Sequence, residues 1–444
     1  MVQYGDLELV PTVLEYSGRE EATYVLTAAT ELGDSSLARI ALDHRADPNA
    51  AVEQAVVQGR DQILLELLRA RADPDLGMRV AMEHGQLDSA RLLLENGADA
   101  RRPEYLVFVV VNRSEQLMEL LLSHGANPTA GLLPAVSDGN LVFTERLVRA
   151  GADVAAPSVI AAAAGSGNEK ITSLLLSHGA SADNGMLPGI GAGHSPVVAL
   201  LLEAGGRADP PEYISLAGEV GNLEVVNQLL SRGADPAHGV GGAIGHGHTE
   251  VVRTLLDAGA AVEPAFLDGA VRGGSVSVTR LLLSRGAPPE AGMEAAVQQR
   301  DAALVRTLIE AGADGSNAEY PVIAVRNSNA GVLAAVIEAG APLDFTDSRG
   351  DTLLHQAAEK NDPQLVRTLG DGDIDRDRRN RAGDTPAHVA AVKGKNYLET
   401  VRALIAIGVD VNAVNARGKT VLKVAKGNKV EKLLRDHGAK RKAR

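Results

Sequence analysis

The stretch 174–180 reads LLLSHGA, and the chain rewrites it many times with small changes. Close copies are LLLSHGA at 120–126, LLSRGA at 229–234 and LLLSRGA at 281–287. A second form stands between them, as LVRAGA at 147–152, LLDAGA at 255–260 and LIEAGA at 308–313. A leucine-rich segment that repeatedly ends in Gly-Ala indicates an internal repeat, which decides the fold before any single element is assigned.

The Ala after each Gly, or its nearest substitute, marks the register of the repeats. The markers are 26 to 28 residues apart and are Ala46, Ala72, Ala98, Ala126, Ala152, Ala180, Ala208, Ala234, Ala260, Ala287, Ala313 and Ala341. Every second marker, from Ala72 to Ala341, follows the previous one by 54, 54, 54, 53 and 54 residues. The residue before Gly alternates as well, between His or Arg and Ala. We predict that the copied unit is a double repeat.

Composition limits the kinds of protein that this chain can be. A single core stops growing at about 250–300 residues, whereas each unit of a repeat array packs only on its neighbours; the 444 residues therefore fit an array. Aromatic residues are 2% of the chain, so we expect a core of Leu, Val, Ile and Ala. The absence of Cys excludes disulfides, Cys-ligated zinc and a thiol nucleophile.

Charge is distributed unevenly along the chain. The net charge is −13, but residues 371–444 hold 18 Lys plus Arg against 9 Asp plus Glu, a net of +9. The remaining 26 and 48 give residues 1–370 a net of −22. Because an acidic body repels phosphate backbones, nucleic acid is an unlikely partner.

The chain ends bear on localisation. Residues 1–10 lack a basic segment and a long apolar run, and no stretch approaches the ~18 apolar residues of a membrane span. We therefore expect a soluble cytoplasmic protein with no membrane partner. The tail 440–444, KRKAR, is read as a solvated end, with nuclear import or contact with an acidic partner as alternatives.

Each repeat from about Glu21 predicts two short helices. The first is rich in small residues and ends at Gly, as in LAGEVG at 216–221, and the second runs to the leucine pair, as in LEVVNQLL at 223–230. Gly supplies a left-handed cap, and an Asp-Pro such as Asp235–Pro236 stops the helix. Residues 1–20 lie outside this pattern, and their apolar side chains predict an N-terminal cap, or else a frayed tail.

The phrases GHTEVVRTLL at 247–256 and GNLEVVNQLL at 221–230 resemble the second helix of ankyrin repeats. The standard ankyrin unit has about 33 residues and contains T-P-L-H-x-A, so the repeats up to Ala341 lack the finger loop and this opening. The last hundred residues recover them in DSRGDTLLHQA at 347–357 and NRAGDTPAHVA at 380–390, with a worn copy at 415–425. The resemblance implies that His355 and His388, with the motif Thr, tie adjacent turns together by hydrogen bonds.

We therefore predict an all-α, ankyrin-type α-solenoid of about 15 helix-turn-helix repeats, with β-hairpin fingers only in the C-terminal repeats. The expected organisation is a cap or tail at 1–20, short repeats at 21–345, standard-length repeats at 346–439 and a basic tail at 440–444.

The resemblance also implies a binding face, because the end of the first helix lines the concave groove of ankyrin-like proteins. Polar side chains occupy that position in successive repeats and need not hold the helices together. The predicted partner-binding residues are Glu219, His246, Arg272, Gln298, Gln299, Arg326 and Asn327.

Central first helices are rich in glycine, namely Gly185, Gly189, Gly191, Gly239, Gly241, Gly242 and Gly245. A helical Gly costs ~1 kcal/mol against Ala, so these positions need a reason. One is close packing of curved helix rows. The other is the approach of a ligand or a partner backbone.

Catalysis is not expected. Glu219, His246 and Arg272 fall in consecutive repeats, too far apart for mutual hydrogen bonds unless their side chains converge, and no phosphate loop, dinucleotide fingerprint or zinc spacing is present. We predict no catalytic residue, no metal site and no cofactor. The predicted function is a non-catalytic scaffold or adaptor for a protein or peptide in the concave groove. The alternative is an enzyme or accessory subunit that binds a small molecule at the Gly-rich repeats. The sequence leaves the oligomeric state open.

Overall fold

The computed structural model describes residues 10–441, which contain 31 α-helices and no strand. The chain divides into two compact units, one up to Ala208 and one from Asp209. In the first unit the helices are α1 (Val10–Leu14), α2 (Arg19–Leu32), α3 (Ser35–Asp43), α4 (Val52–Val57), α5 (Asp61–Arg69), α6 (Asp75–Glu83), α7 (Leu87–Glu95), α8 (Pro103–Val111), α9 (Glu115–Ser123), α10 (Thr129–Ser137), α11 (Leu141–Arg149), α12 (Pro157–Gly165), α13 (Glu169–Ser177), α14 (Asp183–Gly191) and α15 (Ser195–Glu203).

In the second unit they are α16 (Pro211–Val220), α17 (Leu223–Ser231), α18 (Ala237–Gly245), α19 (Thr249–Asp257), α20 (Pro264–Arg272), α21 (Val276–Ser284), α22 (Glu290–Gln298), α23 (Ala302–Glu310), α24 (Glu319–Arg326), α25 (Ala330–Glu338), α26 (Leu353–Glu359), α27 (Pro363–Gly370), α28 (Pro386–Lys393), α29 (Leu398–Ala406), α30 (Val421–Val424) and α31 (Asn428–Asp436). From α2 onwards they form fifteen pairs, each a first helix followed by a second helix. The predicted all-α repeat fold is confirmed.

The ends of the array fall partly outside the described residues. In the segment before the first pair, α1 buries Val10 and Leu14 and contacts α3, whereas Leu7 and Leu9 lie outside the described part. Of the predicted basic tail 440–444, only residues 440 and 441 are described.

The second helices form because their apolar residues recur three and four positions apart. In α19 the buried residues are Val251, Val252, Leu255 and Leu256, and the opposite face is polar. Side chains at the N-cap close many of these helices, as Asn222 does by accepting the backbone N–H groups of Glu224 and Val225. All of these helices except α27 are followed by a left-handed residue, such as Gly179 with φ 95°. These local rules fix the length of the helix at about nine residues in most repeats.

One register marker differs from the sequence interpretation. The amide of Gly206 returns to the carbonyl of Leu201 at 2.9 Å, as that of Ala180 returns to Leu175 at 3.0 Å. Gly206, not Ala208, is therefore the residue that closes this turn. With this correction the marker spacings on either side become 26 and 28 residues, since 206 − 180 = 26 and 234 − 206 = 28.

First helices of two kinds alternate along the array. One kind begins with Pro and comprises α8, α12, α16 and α20, which start at Pro103, Pro157, Pro211 and Pro264. The other kind carries Gly as its third residue and comprises α6, α10, α14, α18 and α22, with Gly77, Gly131, Gly185, Gly239 and Gly292. The glycines are 54, 54, 54 and 53 residues apart.

These glycines let one first helix approach the one before it. A Cβ placed on Gly239 would lie 3.0 Å from the carbonyl oxygen of Ile214 in α16, and a Cβ on Gly131 would lie 3.1 Å from Cγ2 of Val110 in α8. Contacts between α16 and α18 are more extensive than those between α17 and α19 or between α18 and α20. From α10 onwards, each glycine-type helix therefore packs closely against the preceding proline-type helix.

Finger turns occur in the C-terminal repeats. Antiparallel bridges join Thr346 to Thr352 and Val414 to Thr420, and they are the bridges found between residues 10 and 441. The side chain of Asn380 donates to Asp351 at 2.7 Å, and that of Asn415 donates to Asp384 at 2.7 Å. Successive fingers are thus hydrogen-bonded to one another.

His355 and His388 are structural residues, as the resemblance implies. Nδ1 of His355 accepts the backbone N–H of its own Thr352 at 3.2 Å, and its Nε2 donates to the carbonyl of Asp384 in the next repeat at 2.9 Å. His388 makes the same bond to the carbonyl of Lys419 at 3.0 Å. Burial lowers the pKa of both imidazoles. Both rings are therefore held in the neutral form.

Candidate partner-binding surface

The predicted binding residues all lie in the second unit, at the C-terminal ends of first helices. Glu219 ends α16 next to Val220, Arg272 ends α20, Gln298 ends α22 and Arg326 ends α24. His246, Gln299 and Asn327 are the cap residues of α18, α22 and α24. All are exposed except Asn327, which is half-buried. The structure therefore places them in one row, one repeat apart, and does not bring them together into a cluster.

Hydrogen bonds between repeats use the last carbonyls of these first helices. Nε2 of Gln299 donates to the carbonyl of Arg272 at 2.8 Å, Nε2 of His248 donates to that of Glu219 at 3.0 Å, and Nζ of Lys360 donates to that of Arg326 at 2.9 Å. Carbonyls at a helix C-terminus have no partner within the helix, so these side chains supply one. Gln299 differs here from its expected role, because its amide helps to hold adjacent repeats together.

Two of the predicted side chains pair within their own helix. Nε of Arg272 lies 2.7 Å from Oδ2 of Asp268, and this hydrogen bond raises the pKa of Arg272. Nε2 of Gln298 donates to Glu294 at 2.8 Å. Arg272 is therefore bound to Asp268, one helical turn back, and not to the neighbouring repeat.

Two histidines lie near the end of α18. The rings of His246 and His248 are stacked, with centroids 6.0 Å apart and planes 13° from parallel. Nδ1 of His246 donates to the carbonyl of Gly242 at 3.1 Å. Over residues 10–441 no group of three or more His, Cys, Asp or Glu side chains is placed to hold a metal ion.

Five of the seven central glycines fall into two groups. Gly185, Gly239 and Gly242 face a neighbouring helix, and a Cβ on Gly242 would lie 3.0 Å from the carbonyl of Ser215. Gly241 and Gly245 face open space, because a Cβ placed there would meet no heavy atom within 4 Å apart from its chain neighbours and the backbone of its own helix. Close packing accounts for the first group. The second group leaves a bare surface on α18.

An exposed apolar strip in the first unit was missed by the sequence reasoning. Its members are Val107 and Val111 of α8, Leu133 of α10 and Leu187 of α14; Val107 is half-buried, and Val111, Leu133 and Leu187 are 62%, 38% and 43% exposed. Val107, Leu133 and Leu187 are each the fifth residue of their helix, where α12 has Ala161. Helices in equivalent register present equivalent positions to the same side, so these residues form one strip across four first helices.

The surroundings of the apolar strip are polar. Arg113 and Asp138 pair at 2.9 Å beyond the ends of α8 and α10. At about 8–10 Å between neighbouring helices, the strip extends over about 25–30 Å. Tabulating the fifth position of each first helix, instead of the last two, would have revealed it from the sequence.

One segment near the C-terminal end matches a known protein family. The family model described as ankyrin repeat matches residues 382–416, the segment that contains the His388 motif and the Asn415 finger. The chain contains an ankyrin repeat at residues 382–416, and its fold is an ankyrin-type solenoid.

A curated relative and two solved structures resemble parts of this chain. The chain is 37% identical over 122 residues to the E3 ubiquitin-protein ligase KEG of Arabidopsis thaliana. The matched segment is 27% of this chain and 7% of the ligase. The ankyrin repeat domain of Bcl-3, a member of the IκB family, is 23% identical, covering 52% of this chain and 99% of that one with a TM-score of 0.36. The ankyrin repeat protein EF0377 is 24% identical, covering 34% and 83% with a TM-score of 0.29.

The helices of the array were also compared with the requirements for crossing a membrane. Within the described residues, none of them combines the length and the apolar character that crossing a bilayer requires.

Proposed function

We propose that this ankyrin-repeat protein is a non-catalytic scaffold that binds a protein or peptide partner along the exposed side of its first helices. Ankyrin repeats are general modules of protein–protein interaction. The observation that carries the proposal is the apolar strip of α8 to α14. Contiguous exposed apolar groups with a polar rim are typical of protein interaction sites.

The chemistry of the strip indicates what it binds. Val111, Leu133 and Leu187 offer aliphatic carbon to a partner, and the small Ala161 between them leaves room for a side chain of the partner. Apolar contact is worth about 25 cal/mol per Å² removed from water. We propose that a partner segment with apolar side chains, lying across the four helices, covers this strip.

The polar row of the second unit is proposed as a further part of the partner surface. Glu219, Arg272 and Arg326 are exposed at the ends of α16, α20 and α24, which are alternate first helices. Their side chains can choose between partners by charge, because a mismatched charge at an interface is costly. The two surfaces are tested separately, since they lie in different units.

The experiment compares capture of partners by the full chain and by matched variants. Val111→Gln/Leu133→Gln/Leu187→Gln removes the strip, and its control, Val13→Gln/Leu32→Gln/Val142→Gln, changes three apolar residues that are 41%, 60% and 52% exposed elsewhere in the same unit. Proteins retained from a cell extract are identified by mass spectrometry and the binding of each is then measured with purified partner. We expect the strip variant to lose a partner that the control retains.

The polar row is tested by Glu219→Ala/Arg272→Ala/Arg326→Ala, with Glu224→Ala/Arg253→Ala/Arg280→Ala on the second helices as a control of equal charge change. Exposed residues of this kind contribute little to stability, so the melting temperature should stay nearly constant. If both test variants bind every partner at full strength, the first helices are not the binding surface.

A further inference from the structure

Exposed lysines are concentrated at one end of the chain. Nine of the eleven lysines follow residue 392, and five of these lie where α28 and α30 end and α31 begins. This lysine platform consists of Lys393, Lys395, Lys423, Lys426 and Lys429, all of them exposed. The platform lies outside the polar row and the apolar strip, so nothing in the proposed function has used it.

The backbone holds two of these lysines together. The amide of Lys426 donates to the carbonyl of Ala391 at 3.0 Å, which joins the end of α30 to α28. A Cβ on Gly394 would lie 3.3 Å from Cβ of Lys426, and a Cβ on Gly427 would lie 3.3 Å from the backbone nitrogen of Lys395. Each glycine thus packs against the lysine beside the other glycine.

Both glycines adopt backbone conformations that other residues rarely adopt. Gly394 has φ 89° and ψ −147°, and Gly427 has φ 92° and ψ 130°. Glycine reaches positive φ at little steric cost because it has no Cβ, so both positions allow the close approach described above. Here the conformation holds the segments that carry Lys395 and Lys426 against each other, and an anion bound there would offset the repulsion between their like charges.

No anion of the described chain fills this role. The platform lysines form no ion pair with any carboxylate of residues 10–441, whereas nearby Glu431 pairs with Arg435 at 2.9 Å and with Arg441 at 3.2 Å. Glu399 is likewise paired with Arg402 at 3.4 Å. The charge of the platform is therefore available to an external ligand.

We infer that the lysine platform binds an acidic segment of a partner protein. The choice among anions follows from the surroundings. Single-stranded nucleic acid is bound through stacking on aromatic side chains, but residues 371–444 contain one aromatic residue, Tyr397, whose hydroxyl already donates to the carbonyl of Glu359 at 3.0 Å.

Extended polyanions also meet the acidic remainder of the same unit. Residues 209–370 hold 21 Asp plus Glu against 11 Lys plus Arg, a net of −10, and they repel a duplex or an anionic membrane that comes within a Debye length, about 8 Å at physiological salt. A short run of Asp and Glu can occupy the platform alone. Lys is also a compact point charge without the fork that favours Arg at phosphates.

The test uses the full chain and a fluorescein-labelled peptide of ten glutamates. In 50 mM salt we expect Lys395→Gln/Lys426→Gln/Lys429→Gln to bind it about tenfold more weakly than the wild type, because three exposed ion pairs are lost. The control, Arg417→Gln/Lys419→Gln/Lys440→Gln, has the same change in net charge and should bind like the wild type. Lys395→Arg/Lys426→Arg/Lys429→Arg keeps the charge and should retain binding.

Three results would overturn the inference. The first is equal binding of the peptide by the wild type and the Gln variant. The second is tighter wild-type binding to oligothymidine, or to vesicles of phosphatidylcholine and phosphatidylserine, than to decaglutamate. The third is a salt-sensitive dimer in sedimentation velocity that the Gln variant loses, which would assign the platform to a second copy of the chain. None of these variants touches the apolar strip or the polar row, so the outcome is independent of the proposed function.

Discussion

The imidazole Nε2 of His355 lies 2.9 Å from the carbonyl oxygen of Asp384, which belongs to the next repeat. His388 makes the equivalent bond to Lys419. Since each bond crosses a repeat boundary, the protonation state of two buried rings bears on the stability of the C-terminal repeats.

Acid should therefore destabilise these repeats. Burial lowers the pKa of both histidines in the folded state, whereas the pKa of a His in an unfolded chain is about 6.5. As the pH falls below about 6.5, the unfolded state binds protons that the folded state does not, and stability is lost until the lowered folded pKa is reached. We expect urea unfolding from pH 7.5 to 5.5 to show a steeper loss for the wild type than for His355→Gln/His388→Gln. Parallel pH dependences would contradict this account.

Two adjacent glycines of α18 should respond to alanine in opposite directions. Gly241→Ala places a methyl group in open space and should raise the free energy of unfolding by about 0.5–1 kcal/mol, because a helical Gly is entropically costly. Gly242→Ala places it 2.6 Å from Cγ of Glu219 and 3.0 Å from the carbonyl of Ser215, and should lower that free energy by about 1–3 kcal/mol. Thermal melts of the two variants check this. Changes of the same sign would show that α16 and α18 are not as close as described.

A core substitution should act locally before it acts globally. Leu175 of α13 is fully buried, so Leu175→Ala should cost about 2–5 kcal/mol. In an array whose contacts are between neighbours, hydrogen exchange should accelerate first in α12 to α15. Leu174→Ala, at the half-buried neighbour, serves as the control and should cost much less. Equal acceleration in every helix of the unit would argue against local unfolding.

The sequence was sufficient for the repeat fold because each helix pair is specified locally. Leucine spacing, polar N-caps such as Asn222 and left-handed glycines such as Gly179 are all readable without tertiary contacts. The error at Ala208 has a physical cause. Two consecutive glycines, Gly205 and Gly206, precede it, and only the hydrogen bond to Leu201 decides which residue closes the turn.

The candidate binding surface was harder to predict from the sequence. Sequence alone does not distinguish Gly241 from Gly242. The two residues are adjacent in the helix, but Gly241 faces open space and Gly242 faces the backbone of Ser215. The role of Gln299 was also hidden, since its hydrogen bond reaches Arg272 in the preceding repeat. The apolar strip, in contrast, could have been predicted by comparing the fifth residue of each first helix. It was missed because only the last residues of those helices were compared.

The alternation of proline-type and glycine-type first helices limits how such a chain can change its length by recombination between its own copies. Loss of residues 129–156 would bring α12 directly behind α8, so that Val159 would take the place of Gly131 against Val110 and Leu106. Two helices with bulky side chains would then meet at a position where Gly131 had left only a hydrogen atom. Gain or loss of two repeats together keeps every proline-type helix followed by a glycine-type helix. Arrays of this kind should therefore change their length by an even number of repeats.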